Sequence, residues 1–590
     1  MGKIIITSNL NWLHNLSGNF EGKFKESFLK TTEAYSVIAY HKLNIDNNEN
    51  VYVEGDNFVA ATGTLIYSGK FGMAALRQLY YDSESQTISE IRKKAIGSYC
   101  IAIKKDNRMV LFVDEAHTYS IYYYVTDDNY LITNTYYHIG KSISGKVNDY
   151  ALLERGIRRC IMSNQTPIKD VYKLGAREAI EIDIERKKIR LVEIDLNDYH
   201  MKYTNKKDAV SDIKKKIMEV SNLRNRFIHS YLHFLTGGID SRLEMAIHKQ
   251  AQSQVSIGYW TGKDVITNGT VQDANIAREI ADYYGFDFTL FDVSQSFEDS
   301  VEDIGSRADL LGEYASLYCG NTKWLDIFMK SKNFDSFGFG YLGESFRNLS
   351  NLDSSYKEPY GISNLVEDVY CRSGLEKKVV HLDGIYEFIC NEFCDLLKIG
   401  ENRHALSIDA AFRLFTYSRF DADCILNNFV NQFAYSIPIF GQKVIADAIY
   451  SLPYSWLQHD SFSLALTEEI EAKLLEFPIY SHHRYFDYDP QKGVMMEKLK
   501  YRVLDWLKPR IKDSFLYSKV YVKYAHKYIR PESLDNDKLL DMSKVIIKDA
   551  FMKLASEIEV VNADSWQGID VSSFATFAVD SLVLSFMERR

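Results

Sequence analysis

The 590-residue sequence predicts an α/β protein: a layered α+β part over residues 1 to about 200, then a doubly wound parallel sheet, then a mainly helical part. Three observations carry this. Short runs rich in β-branched and aromatic residues crowd the first part, separated by polar turns. Further on, apolar strand-like runs alternate with segments whose apolar residues recur at helical spacing, the pattern of a parallel sheet. Beyond about residue 360, stretches such as LSIDAAFRLFTYSRFDADCILNNFVNQF and KVIIKDAFMKLASEIEVV keep helical spacing with no strand alternation.

In the first part, strands are expected at Ile4–Thr7, Phe58–Tyr67, Ser98–Lys104, Met109–Val113, Tyr119–Val125 and Tyr130–Asn134. Helices are expected at Met73–Tyr81 and Ile88–Ala95, and a closing hairpin at Glu178–Ile184 and Lys188–Ile194. A helix with a basic, solvated face follows over residues 205 to 230. Tyr231–Leu235 then reads as a buried strand, and Thr236-Gly237-Gly238 as a tight turn, because two glycines reach backbone angles that cost other residues energy. Asp240 and Ser241 open a helix whose Leu243, Met245, Ala246 and Ile247 cluster on one side. Val255–Trp260 is a second strand, Asp273–Tyr284 a helix closed by Gly285, and Phe286–Val293 a third strand. The expected division is residues 1–200, 205–530, and a helical extension over 531–590 without chemistry of its own.

Strand, glycine turn and helix start place several backbone N–H groups and a positive helix end around one point, which suits an anion of phosphate size. Asp240 would repel a bare phosphate, so a bridging cation is expected, with Mg2+ the natural choice. Ligands of doubly wound sheets sit at the carboxyl ends of strands, where this turn falls. A second glycine cluster, SFGFGYLGESFR at Ser336–Arg347, reads as another strand-to-helix turn.

The formal charge of −10 argues against nucleic-acid binding as the main task, since a phosphate-tracking surface needs basic excess. Seven scattered cysteines with no Cys-x-x-Cys pair indicate neither a zinc ribbon nor a disulfide framework. Cys390 and Cys394, four apart in a helical run, read as core residues. No apolar run of about 18 residues occurs, so a soluble, cytoplasmic protein without membrane partners is expected.

The turn TGGIDS resembles the pyrophosphate loop of the asparagine-synthetase superfamily, Ser-Gly-Gly-x-Asp-Ser, with Thr236 keeping the hydroxyl of the first serine. The run DANIAREIADYYGFDFTLFDV resembles that superfamily's second βα unit. The resemblance implies that Leu235, Thr236, Gly237, Gly238, Asp240 and Ser241 hold ATP. It also implies that backbone groups near Ser256, Ile257 and Gly258 contact adenine. Gly340-Tyr341-Leu342-Gly343-Glu344 resembles the second nucleotide motif, Gly-x-Gly-x-acid, with Leu342 replacing a glycine and Glu344 an aspartate. On this match Gly340 joins the nucleotide site and Asp240 and Glu344 clamp Mg2+ on pyrophosphate. Tyr341 then stands where β-lactam synthetases carry a catalytic tyrosine; a register shifted by two would put Phe339 there, which carries no proton. AYSIPIFGQKVIADAIYSLP resembles the Pro-Phe-x-Asp…Leu-Pro region, with Gly441 at the aspartate position. Asp421 or Asp423 would supply the acidic partner of the tyrosine, or else serve as a helix cap or surface carboxylate. RIKDSF resembles the stretch bearing a catalytic lysine, which makes Lys512 the candidate and Lys519 the reserve.

The N-terminal part resembles the amidotransferase-like region of glutamine-dependent asparagine synthetases through AATGTLIYSG, GSYCIAI, VDEAHTYSIYYY and VYKLGAREAIEID. There a cysteine follows the initiator methionine and its thiolate attacks glutamine. Here that position is Gly2, so glutamine hydrolysis is expected to be lost; Cys100 is the one other thiol that could approach in space.

The expected function is an ATP-dependent ligase that adenylates a carboxylate, releases pyrophosphate and lets an amine attack. The absence of a Gly-Lys-Ser/Thr Walker motif favours α,β cleavage. The logic is that of β-lactam synthetases and lasso-peptide cyclases, with a small molecule or peptide as the carboxylate, in peptide modification or antibiotic biosynthesis. A homodimer or a complex with a biosynthetic partner protein stays open. The alternatives are an asparagine synthetase using ammonia or glutamine, and a non-catalytic scaffold or peptide-binding partner. tRNA thiolation shares the loop but lacks a cysteine pair here.

Overall fold

The computed structural model describes residues 2–46, 49–194, 203–261, 271–295, 297–317, 321–347, 352, 356–357, 359–371, 382–397, 406–481, 484–486 and 571–588. Lys512, Lys519 and the helical run expected at 544–561 lie outside the described residues.

The N-terminal part contains β1 (Lys3–Thr7), β2 (Glu26–Thr31), β3 (Ser36–Tyr40), β4 (Val51–Glu54), β5 (Asn57–Tyr67), β6 (Lys70–Phe71), β7 (Ala95–Lys105), β8 (Arg108–Val113), β9 (Tyr122–Val125), β10 (Tyr130–Thr133), β11 (Val171–Lys173), β12 (Glu178–Asp183) and β13 (Lys188–Glu193). They form two antiparallel sheets, ordered β11-β9-β10-β1-β3-β2 and β13-β12-β8-β7-β5-β4, with β6 beside β5. Strand alternation decides the layering. Ile4, Ile6, Val37 and Ala39 of one sheet face Phe58, Ala60, Cys100 and Leu111 of the other in a shared apolar layer. The opposite face of the second sheet, through Val59, Ala61 and Ile101, packs against the apolar faces of two helices: Leu76 and Leu79 of Gly72–Asp82, and Ile91 of Ile88–Lys94. Ile5, on the far face of the first sheet, packs with Leu13, Leu16 and Phe20 of the helix Leu10–Phe20. The result is helices, sheet, sheet, helices. β2, β3, β4 and the helices Leu10–Phe20, Tyr136–Ile143 and Asp149–Arg158 are additions to the elements expected from sequence.

The second sheet system is parallel. β14 (Ser230–Phe234) lies between β15 (Gln254–Thr261) and β17 (Ser336–Gly338), and β15 also pairs with β16 (Phe288–Asp292). Helices Lys206–Asn225, Ile239–Gln250 (α1) and Val271–Tyr284 (α2) accompany it, as their apolar stripes predict. The long helix Ile408–Phe433 (α3) runs against the N-terminal sheets and joins them by a polar network. Lys42 Nζ donates to the Asn431 carbonyl at 2.6 Å, Thr64 Oγ1 to Asn431 Oδ1 at 2.7 Å, and Asn427 Nδ2 to the Thr118 carbonyl at 2.6 Å. Just beyond it, Gly97 N donates to Gln442 Oε1 at 2.7 Å. Buried amides of this kind need partners, so each pins one register of the interface.

No helix among the described residues is long and apolar enough to cross a membrane. The helix Val571–Glu588 (α4) packs on Asp149–Arg158, burying Phe577, Val583 and Leu584. Asp580 accepts from Arg155 Nε at 2.6 Å with both side chains only 4% exposed. Arg155 Nη2 also donates to the Glu313 carbonyl at 2.7 Å. The expected chemistry-free extension thus ends in an anchored helix.

Asp580→Ala should cost about 3–5 kcal/mol, because it strands a buried guanidinium. Arg155→Met/Asp580→Leu should recover most of that loss. Chemical-denaturation midpoints of the three proteins check this.

Candidate functional site

β14 has parallel neighbours on both sides, so its carboxyl end opens at the middle of the sheet, and the Thr236–Ser241 turn lies there. Leu235 N donates to the Gly258 carbonyl at 3.2 Å and ends the ladder. Beyond it the turn's donors are held by side-chain oxygens. Thr236 N donates to Ser241 Oγ at 3.1 Å, Gly238 N to Thr236 Oγ1 at 3.1 Å, and Gly237 N to Asp273 Oδ1 at 3.2 Å. A carboxyl group from α2 thus already lies on one of these N–H groups, at the start of α1, where the helix dipole favours negative charge. Thr236 is exposed, Gly238 and Asp240 partly so, and Gly237 and Ser241 buried. Arg242, the next residue of α1, is buried. Its guanidinium donates to the carbonyls of Leu474, Phe477 and Pro478 at 2.7–2.9 Å, fastening α1 to that segment.

The second glycine cluster lies directly on the first turn of α1. Gly340 has φ 73°, and a Cβ there would stand 2.5 Å from the Asp240 carbonyl carbon. A Cβ on Gly343 is tolerated only with its 2.6 Å approach to the Asp240 Cβ relieved, so glycine is the residue that fits both places. Leu342, at a position where the motif has glycine, takes φ 63°. Phe339 N and Gly340 N donate to Glu244 Oε2 at 3.1 and 2.5 Å, so the turn is held by a carboxylate of α1. Gly441 is likewise crowded: a Cβ would meet Leu342 Cδ1 and Thr118 Cγ2 at 2.6 Å, so a side chain there requires both methyl groups to shift.

Asp240 and Glu344 come together, but with a partner the sequence reading missed. Asp240 Oδ2 accepts from Arg347 Nη2, and Arg347 Nη1 lies 3.9 Å from Asp460 Oδ1. Burial pushes the Asp240 carboxyl up to about 7, against the pull of Arg347, with Glu344 and Asp460 adding repulsion. The same carboxylates hold Arg347 above its usual value despite its burial. The expected two-carboxylate clamp is therefore three carboxylates around one guanidinium. Asp240 Oδ1 is a buried oxygen with no hydrogen-bond partner among the described residues, so the donor set fits an oxygen-ligated cation such as Mg2+.

Tyr341 is 8% exposed, and its ring packs 4.9 Å from that of Phe339. Asp421 and Asp423 lie on α3, but their side chains are outside the described residues. Ser256, Ile257 and Gly258 lie inside the second strand rather than at its end. β15 runs on to Thr261, and the Gly258 carbonyl and Ile257 N are committed to Leu235 N and the Asp287 carbonyl. The carboxyl end is Trp260–Thr261, where Trp260 packs 4.6 Å from Phe234. The β-rich run of aromatics at that end was the available signal.

At the other centre, Gly2 N donates to the Tyr40 carbonyl at 2.9 Å and Asn134 Nδ2 to the Gly2 carbonyl at 3.0 Å. A Cβ at residue 2 would lie 2.7 Å from the His41 carbonyl oxygen and 3.3 Å from that of Gln432, on α3. Cys100 does not replace the thiol: it is buried between the sheets, and burial raises its pKa above the ordinary value.

No family model and no curated protein sequence matches the chain. Among solved structures it is similar to glutamine phosphoribosylpyrophosphate amidotransferase from B. subtilis complexed with ADP and GMP, at 9% identity and TM-score 0.22. That overlap covers 49% of this chain and 65% of the other. An allosteric regulatory enzyme of purine biosynthesis matches at 9% identity and TM-score 0.24, over 58% and 91%. Glutamine-dependent NAD+ synthetase from Acinetobacter baumannii, in complex with ADP, matches at 18% and TM-score 0.17, over 29% and 31%. Overlaps this loose carry no argument about activity.

Gly340→Ala should cost about 2–4 kcal/mol, through a left-handed φ and a backbone clash that cannot relax. Gly22→Ala, with φ 71° and nothing within 4 Å of its Cβ, should cost only about 1 kcal/mol. Thermal or denaturant midpoints of both variants separate strain from clash.

Proposed function

We propose that the chain is an ATP-dependent, AMP-forming carbon–nitrogen ligase that works without glutamine hydrolysis. The carboxylate oxygen of a small molecule or peptide attacks the α-phosphorus of ATP, and the α,β bond breaks to release pyrophosphate. An amine then attacks the acyl carbon, AMP leaves with the acyl–oxygen bonding pair, and the amine loses a proton to give the amide. The observation that carries this reading is the Thr236–Ser241 turn: N–H groups at a helix start, at the mouth of a central parallel strand, held by side chains a phosphate can replace.

Asp240 and Glu344 would hold Mg2+, which when bound neutralises charge on the departing pyrophosphate. Arg347 brings a second positive charge to the same point and stays protonated throughout. Tyr341 is the proposed proton carrier, with Asp421 or Asp423 as its acidic partner, and Lys512 or Lys519 neutralises the adenylate. The crowding at Gly2 supports an amine other than glutamine-derived ammonia: free ammonium, or an amine of the substrate or of a second substrate. A second reading, a retained fold serving as a scaffold, is favoured by the Asp240–Arg347 pair and by Gly441.

ATP–pyrophosphate exchange over a panel of carboxylates, with glutamine and ammonium omitted, tests the proposal. Carboxylate-dependent exchange is expected, and Asp240→Asn should lower it by about 10²–10³-fold, the range for removing one preorganised charge-stabilising group. Exchange seen only with glutamine, or wild-type exchange in Asp240→Asn, would overturn it.

Gly2→Cys should produce no glutaminase activity, because its side chain must displace two backbone carbonyls. Ammonia release from glutamine by the purified variant is the check.

A further inference from the structure

Beneath the nucleotide turn lies a polar cluster that the proposed ligase chemistry does not use. Among the described residues, His233, Glu244 and His248 are the one group of three or more histidine, cysteine or acidic side chains whose ligand atoms all lie within 4.8 Å of one another. Both histidines are fully buried and Glu244 is 5% exposed. His233 comes from β14, while Glu244 and His248 are one turn apart on α1 and so share its inner face.

The hydrogen bonding sets which atoms point inward. His233 Nε2 lies 2.8 Å from the Ser241 carbonyl, which only accepts, so Nε2 carries the proton and Nδ1 presents a lone pair. That Nδ1 stands 3.8 Å from Glu244 Oε2 and has no hydrogen-bond partner among the described residues. His248 Nε2 stands 3.8 Å from Glu244 Oε1, also without one. Buried nitrogens left so are costly. Ligands of one tetrahedral ion with bonds of about 2.0–2.2 Å lie about 3.4 Å apart, close to these spacings.

Three further features fit a cation. Glu244 is oriented by the N–H groups of Phe339 and Gly340, and His233 by the Ser241 carbonyl, the outer contacts that metal ligands require. Burial lowers the pKa of both histidines, which keeps them neutral and able to bind. Gly338 is the third: a Cβ there would sit 2.7 Å from His233 Nδ1 and 3.4 Å from Glu244 Oε1, so a side chain would block the point where the ligands converge. Arg224 is the competing cation, 3.7 Å from Glu244 Oε1 and 3.4 Å from His248 Nδ1. An ion on His248 Nε2 puts the ring proton on Nδ1. Arg224 then gives up that contact and keeps its place over the Tyr231 ring, 4.7 Å from the centroid.

We propose that His233 Nδ1, Glu244 and His248 Nε2 bind a divalent transition-metal ion of the zinc type, with water completing the coordination. Two imidazoles and one carboxylate suit zinc and its first-row neighbours better than Mg2+. The ion braces β14, α1 and the second glycine turn, and it is independent of the nucleotide reading.

The test is metal analysis of the full chain purified without chelator, followed by Co2+ titration of metal-stripped protein and Zn2+ competition. One equivalent of bound metal, visible Co2+ absorption saturating at one equivalent, and a higher thermal midpoint with Zn2+ are expected. His233→Gln and His248→Gln should each weaken Co2+ binding at least tenfold. No stoichiometric metal and no Co2+ spectrum in the wild-type chain would overturn the proposal, and that result needs no variant to fold. Wild-type binding by both variants would overturn it too, by assigning the metal to other residues.

Discussion

The arrangement of this molecule depends on one close approach: the second glycine turn rests backbone-on-backbone against the first turn of α1. Gly340 meets Asp240 at a distance that excludes a Cβ, and Gly343 meets the Asp240 side chain. That contact puts Glu344 and Arg347 beside Asp240, and it lets Glu244 take the N–H groups of Phe339 and Gly340. Two segments about a hundred residues apart thereby become one site. The interior carboxylates are tolerated because each has a cation or backbone donors in reach, as burial of charge demands.

A comparable constraint acts at the interface between the N-terminal sheets and α3. Lys42, Thr64, Ser98 and Gly97 meet Asn431, Asn427 and Gln442 through hydrogen bonds that leave little freedom of register. Gly2 lies where these elements converge, between carbonyls of the first sheet and of α3. A side chain at residue 2 would thus be crowded by main chain.

Strands β1, β5, β7 and β8 were legible because they are runs rich in β-branched and aromatic residues between polar turns, and α1 and α2 because their apolar stripes are clean. β2 and β4 were not: both are edge strands, exposed enough that neither shows a buried face. The turn 236–241 was legible for a local reason, two adjacent glycines between a buried strand and a helix start. Arg347, Asp273 and Asp460 were not legible, because a lone charged side chain far along the chain looks like any solvated one. The exact end of the second strand was not legible for a similar reason: where a strand stops depends on its neighbours, and β15 is carried to Thr261 by its pairing with β16.

By itself the sequence determined the fold class, the order of its parts, the glycine turn between strand and helix at Thr236–Ser241 and the missing side chain at Gly2. These follow from local rules: periodicity, glycine's conformational freedom, and the chemistry a residue has or lacks. Only the tertiary structure decided that Asp240 is paired with Arg347, that Glu244 holds the second turn and faces two histidines, and that α3 closes over Gly2. Those are contacts between groups distant in sequence. Their energies arise from burial and geometry, which no local pattern records.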